Sequence, residues 1–197
     1  MKKFLSVLFI IAAVSAAQAF AEEVTDTNIT HTKEYYRQQV VIAEKYTKNN
    51  FMRAVINGNT KLTEAYVKSG MDPNTTQMKL SAVMAAIGSD KPDVLKVLIK
   101  NGANIENRTM GLTPLIFAVN QKNADCVKIL LENKADANNS YKNITPLYTA
   151  VSKKQFEISK MLIDAGATVD DDTVIKAVKS RKKDIRNLII KTAAEQI

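Results

Sequence analysis

The sequence predicts an all-α solenoid of about five helix pairs with short β-hairpin-like connections. Three observations predict it. An eight-residue stretch, Gly-Leu-Thr-Pro-Leu-Ile-Phe-Ala at 111–118, recurs 32 residues later as Asn-Ile-Thr-Pro-Leu-Tyr-Thr-Ala at 143–150. Alanines hold the same interval at Ala86, Ala118 and Ala150, and again at Ala103, Ala135 and Ala167. Gly70, Gly102 and Gly166 fit the series, with Lys134 in the remaining place. A fixed period of this size marks stacked units, none of which buries its apolar face alone.

The chain has 197 residues, 46% hydrophobic and 24% charged, which suits one globular domain and is too apolar for wholesale disorder. Residues 1–21 read as a secretory signal: Lys2 and Lys3, an apolar run from Phe4 to Ala17, then Ala19-Phe20-Ala21 before Glu22-Glu23. Cleavage after Ala19 or Ala21 satisfies the small-x-small rule, and Ala21 is preferred. The rival reading, a membrane anchor, needs about 20 apolar residues, and the run is shorter. The expected destination is therefore the periplasm or the outside of the cell, with no stable anchor after cleavage. Loss of the two lysines takes the formal charge from +8 to +6. Cys126 is the only cysteine, so packing rather than an intrachain disulfide must hold the exported domain.

Residues 22–48 form a polar leader, with Tyr36, Val40 and Ala43 at helical spacing predicting a helix over 33–47. The repeat domain spans 49–191, in units of about 49–74, 75–106, 107–138, 139–170 and 171–191, followed by a tail at 192–197. In the first unit Phe51, Met52, Ala54 and Val55 begin one helix, and Leu62, Ala65, Tyr66 and Val67 a second. In the three internal units Ser81, Thr113 and Thr145 can cap a helix through their hydroxyls. Pro114 and Pro146 follow at the first helical position, where a missing N–H costs nothing. Val83, Leu115 and Leu147 then share a face with the repeated alanines three residues on. Second helices are carried by Val94–Ile99, Val127–Leu131 and Phe156–Ile163. Gly102 and Gly166 end them with a left-handed residue, so Lys134 must accept strain or close differently. The last unit repeats the pattern at Val174 and Ala177 after 27 residues instead of 32, with Ile185, Leu188 and Ile189 on its outer helix.

These residues resemble the ankyrin repeat. The family's T-P-L-H-x-A becomes T-P-L-I-F-A at 113–118, T-P-L-Y-T-A at 145–150 and, degenerate, S-A-V-M-A-A at 81–86. Its G-A-D-x-N turn appears as G-M-D-P-N at 70–74, G-A-N-I-E at 102–106 and K-A-D-A-N at 134–138. Met84, Ile116 and Tyr148 stand where the family places a histidine, so that residue's turn-stabilising hydrogen bond is absent or replaced.

Catalytic chemistry has little to work with, and no enzymatic role is expected. His31 is the only histidine and lies in the leader, while Cys126 takes the place of a buried aliphatic residue. No phosphate loop or zinc-ligand cluster occurs, and no cofactor is implied. Asp170-Asp171-Asp172 suits the amides at a helix start and lacks the ligand spacing of a calcium loop. A nucleic-acid surface would need concentrated positive charge. Here Lys122, Lys128, Lys134, Lys153, Lys154 and Lys160 alternate with Asp125, Glu132, Asp136 and Glu157.

The resemblance implies a monomeric, non-enzymatic protein-binding module whose hairpin tips and exposed first-helix positions form a concave face. Those positions are Gln77 and Met78, Thr109 and Met110, and Tyr141 and Lys142 at the tips. Along the helices they are Ser89, Asn120, Gln121, Ser152, Lys153 and Lys179. Met78 and Met110 fit either an interface or filler between hairpins, and Tyr141 is the expected anchor. The net charge favours an acidic partner. The alternative is a secreted effector or a structural protein acting at a host or cell surface.

Overall fold

The computed structural model describes residues 47–196. The expected signal at 1–21, the leader with its helix and His31 lie outside them, except that Thr47 is the N-cap and Lys48 the first residue of the first described helix. Five helix pairs follow: α1 (Lys48–Ile56) with α2 (Thr60–Lys68), α3 (Ala82–Gly88) with α4 (Pro92–Lys100), α5 (Pro114–Gln121) with α6 (Ala124–Glu132), α7 (Pro146–Ser152) with α8 (Phe156–Asp164), and α9 (Asp171–Val178) with α10 (Lys183–Glu195). Most are two turns long, too short to persist alone in water. Each inner helix packs on its own outer partner and on the inner helices before and after it, and the outer helices do the same. The architecture is the expected all-α repeat solenoid.

Local chemistry starts each inner helix in one way. Thr47, Ser81, Thr113, Thr145 and Asp170 accept a side-chain bond from the backbone N–H three residues on, at 3.2 Å in the case of Ser81 and 2.7 Å for Asp170. This gives the aspartates at 170–172 their place: a cap followed by two acids in the first turn.

Left-handed residues recur with the period. Gly58, Asp90, Lys122 and Lys154 turn inner helix into outer helix, with φ of 78°, 54°, 59° and 59°. Gly70, Gly102, Lys134 and Gly166 end the outer helices, with φ of 97°, 87°, 68° and 89°. Lys134 thus accepts strain, as expected, rather than closing differently. A side chain in this conformation costs about 1–2 kcal/mol, and glycine's extra freedom in the unfolded chain returns about 0.5–1 kcal/mol of that. Lys134→Gly should therefore raise stability by about 0.5–1 kcal/mol. Denaturant titration checks this, and a loss of stability would mean that the lysine side chain offsets its own strain.

The core runs as columns through the stack. Ala86, Ala118, Ala150 and Ala177 are fully buried, one on each of the four inner helices from the second unit on. Val94, Cys126, Ile158 and Ile185 form a second column, and Leu98, Leu130, Leu162 and Ile189 a third. The turns between units are tied by polar bonds. Asp72, Asn104 and Asp136 each accept the N–H two residues on at 2.8 Å. Asn74 accepts from Asn104 N–H at 2.7 Å, Glu106 from Asp136 N–H at 2.9 Å, and Asn138 from Thr168 N–H at 2.8 Å. Each loop is thereby bonded to the next.

The end of the chain differs from expectation. The last helix continues through Glu195, so residues 192–195 are helix and not tail. Thr192 is buried, and Gln196 accepts from Val169 N–H at 2.9 Å and donates to Ala167 O at 3.1 Å. Those long-range contacts fasten the terminus to the final loop.

Candidate protein-binding face

The hairpins place the first candidate residues. β1 (Thr76–Gln77) pairs antiparallel with β2 (Leu80–Ser81), and single bridges join Thr109 to Leu112 and Tyr141 to Ile144. Between these pairs lie Met78-Lys79, Met110-Gly111 and Lys142-Asn143, all six with positive φ, the signature of a type I′ turn. The true tips are therefore the second candidate in each pair and the residue after it. Gln77, Thr109 and Tyr141 are strand-like and pair across the hairpin. Thr109 is only 8% exposed and offers little surface to a partner. Met78 is 93% and Met110 63% exposed, so neither is filler between hairpins.

Tyr141 reaches back one repeat. A Cβ added to Gly111 would lie 2.4 Å from its ring carbons, so the ring rests on the neighbouring hairpin's backbone. Arg108 locks the same junction, donating to Gly111 O at 3.2 Å, to Ser140 O at 2.8 Å and to Asn139 Oδ1. Packing accounts for part of the tyrosine's presence, which the repeat pattern alone left to partner binding. Lys142 Nζ stands 5.3 Å from the Tyr141 ring centre, and Lys176 Nζ 5.9 Å from that of Tyr148.

Along the inner helices two rows face each other. Leu112, Ile116 and Asn120 lie at four-residue steps on one side, and Ile144, Tyr148 and Ser152 on the other. Together with Tyr141, Thr149 and Lys153 they enclose a depression of about 210 Å³. The structure thus gathers four expected residues, Asn120, Tyr141, Ser152 and Lys153, in one place. Ser152 is half-buried, and its Oγ has no hydrogen-bond partner among the described residues. Gln121 and Lys179 are exposed and Ser89 half-buried, and none of the three lines the depression. The apolar walls were missed by the sequence reading, although 112/116/120 and 144/148/152 repeat at 32 residues with the four-residue step of a helix face.

Charge is segregated more sharply than the scatter of lysines suggests. Residues 75–89, 107–123 and 139–155, the internal hairpins with their inner helices, contain no aspartate or glutamate. They carry Lys79, Arg108, Lys122, Lys142, Lys153 and Lys154. The acids of those repeats lie on outer helices and turns, as Asp90, Asp93, Glu106, Asp125, Glu132, Asp136, Glu157 and Asp164, and Asp170 to Asp172 stand at the start of the last inner helix. The hairpin and inner-helix side of the three internal repeats is cationic, and their outer side is balanced.

A sequence profile described as "Ankyrin repeats (3 copies)" matches residues 51–141 and, in a second placement, 106–173, which together exceed half the chain. The chain belongs to the ankyrin-repeat family. No curated protein matches it. Among solved structures it is similar to the "Crystal structure of the ankyrin repeat domain of Bcl-3: a unique member of the IkappaB protein family". That match has 23% identity and a TM-score of 0.68, covering 72% of this chain and 68% of the other. At that identity the likeness speaks for the fold alone.

The ankyrin fold is a non-catalytic interaction scaffold. Cys126 is fully buried, and burial, reinforced by Asp90 and Asp125, pushes its thiol up to about 12. It remains protonated at neutral pH and acts as a small core residue. Among the described residues no three His, Cys, Asp or Glu side chains gather as a metal site. No described helix is long and apolar enough to cross a membrane.

Proposed function

We propose that this ankyrin protein is exported and acts without catalysis, holding an acidic protein partner against the hairpins and inner helices of its three internal repeats, the concave side of the stack. The observation that carries the reading is the acid-free character of 75–89, 107–123 and 139–155, on which Met78 and Met110 stand uncovered. Packing does not require either feature. Exposed thioether and tyrosine side chains beside cations are what an interface uses for adaptable contact and for steering.

Crosslinking identifies the partner, and two variants then test where it binds. Tyr141→Ala should weaken binding by about 1–2 kcal/mol, within the range of an anchor residue. Lys153→Glu should mainly slow association, with added salt shrinking the difference. Unchanged affinity in both folded variants would move the partner off this face. Export is tested separately. The mature chain should begin at Glu22, and N-terminal sequencing that finds Met1 retained would end that part of the reading.

A further inference from the structure

We infer that the depression between α5 and α7 is an anchor pocket for one large apolar side chain carried on an acidic segment of the partner. The inference rests on the reading that the hairpin and inner-helix side is the binding face, and it assigns that face a ligand chemistry. At about 210 Å³ the depression is smaller than the roughly 300–1,000 Å³ of sites that enclose a whole small molecule. It suits a single side chain. Leu112, Ile116, Ile144 and the Tyr148 ring supply apolar walls for it.

The rim sets the charge of what surrounds that side chain. Lys153 lines the edge, and Lys142 and Lys176 stand over the two tyrosine rings. No aspartate or glutamate occurs in either segment that builds the pocket, 107–123 or 139–155. Carboxylates flanking the anchor find these cations on the rim and no acid in the two segments that wall the pocket. A second copy of this chain would bring the same cationic face and be repelled. A single-stranded nucleic acid needs open aromatic faces for stacking. Here the Tyr141 ring rests on Gly111, and both tyrosines have a lysine overhead.

The test is selection of random 12-residue peptides, displayed on phage, against the whole mature protein. The enriched peptides should carry Leu, Phe or Met close to two or more Asp or Glu. A synthetic copy of the best should lose roughly tenfold or more in affinity on Ser152→Leu, which fills the pocket, and on Lys153→Glu, which reverses its edge. Thermal melting establishes that each variant is folded, and Lys153, exposed at a helix end, keeps the test open if Ser152→Leu is not. Enrichment of peptides without acids, or affinity unchanged by both variants, would overturn the pocket. A twelve-nucleotide oligothymidine that binds more tightly than the peptides would overturn it as well. If Met78→Asp with Met110→Asp weakens peptide binding while the pocket variants do not, the pocket is wrong and the binding face stands. If none of these substitutions matters, both are wrong.

Discussion

Replacing Leu147 with alanine is expected to destabilise the stack by about 2–5 kcal/mol, the cost of a large cavity in a core that relaxes little. Leu147 is fully buried at the start of α7, a helix that packs on α5, α8 and α9 at once. In a solenoid each unit is held mainly by its neighbours, so a defect in the fourth weakens the third and fifth as well. Urea titration should show the midpoint falling, with a broadened transition if the last two pairs release first. Val178→Ala provides the contrast. Its residue occupies the position of Val151 one unit on, yet it is 51% exposed, with no next helix pair packed on it among the described residues. Its loss should matter little. Comparable effects of the two substitutions would contradict the stacking order.

Gly111→Ala should cost about 1.5–4 kcal/mol: two costs, less the roughly 0.5–1 kcal/mol that alanine recovers by restricting the unfolded chain. An ordinary side chain with φ near +84° costs about 1–2 kcal/mol. The new Cβ would also lie 2.4 Å from the Tyr141 ring, and overpacking of that kind adds about 1–3 kcal/mol unless the ring swings away. Gly102→Ala separates the two. Its φ is nearly the same, +87°, and nothing lies within 4 Å of its added Cβ. The difference between the two variants measures the tyrosine contact, and near-UV circular dichroism should change for Gly111→Ala alone. Equal losses would mean that Tyr141 yields without cost.

The helix pairs were readable because their signals are local and repeated. Ser81, Thr113 and Thr145 announce the inner helices, and Pro114 with Pro146 fixes the starts to the residue. What escaped depends on contacts far along the chain or on backbone signs that side chains do not advertise. Met78-Lys79 holds two left-handed residues without a glycine, so nothing in its composition betrays the turn type. The helix through Glu195 looked like a tail because its fastening is Gln196 to residues 167 and 169. Four of the twelve expected face residues converge on the pocket, while Thr109 is buried and its neighbour Met110 is open. The cationic face was legible in principle. Tallying lysines hid it, and the distribution of acids by segment reveals it.

The loop-to-loop bonds at Asn74, Glu106 and Asn138 have a mechanical consequence. They hold one edge of the array at 2.7–2.9 Å per step, and the other edge is tied as well, by Asn123 donating to Asp90 Oδ1 at 2.8 Å and Gln155 donating to Val119 O at 2.9 Å. An array tied along both edges resists bending and twisting more than one whose units meet through apolar contacts alone. Under load the three hairpins therefore behave as the teeth of a rigid rack. A guest that spans from Met78 to Lys142 must bend to the rack's pitch, and the strain of any misfit falls on the guest.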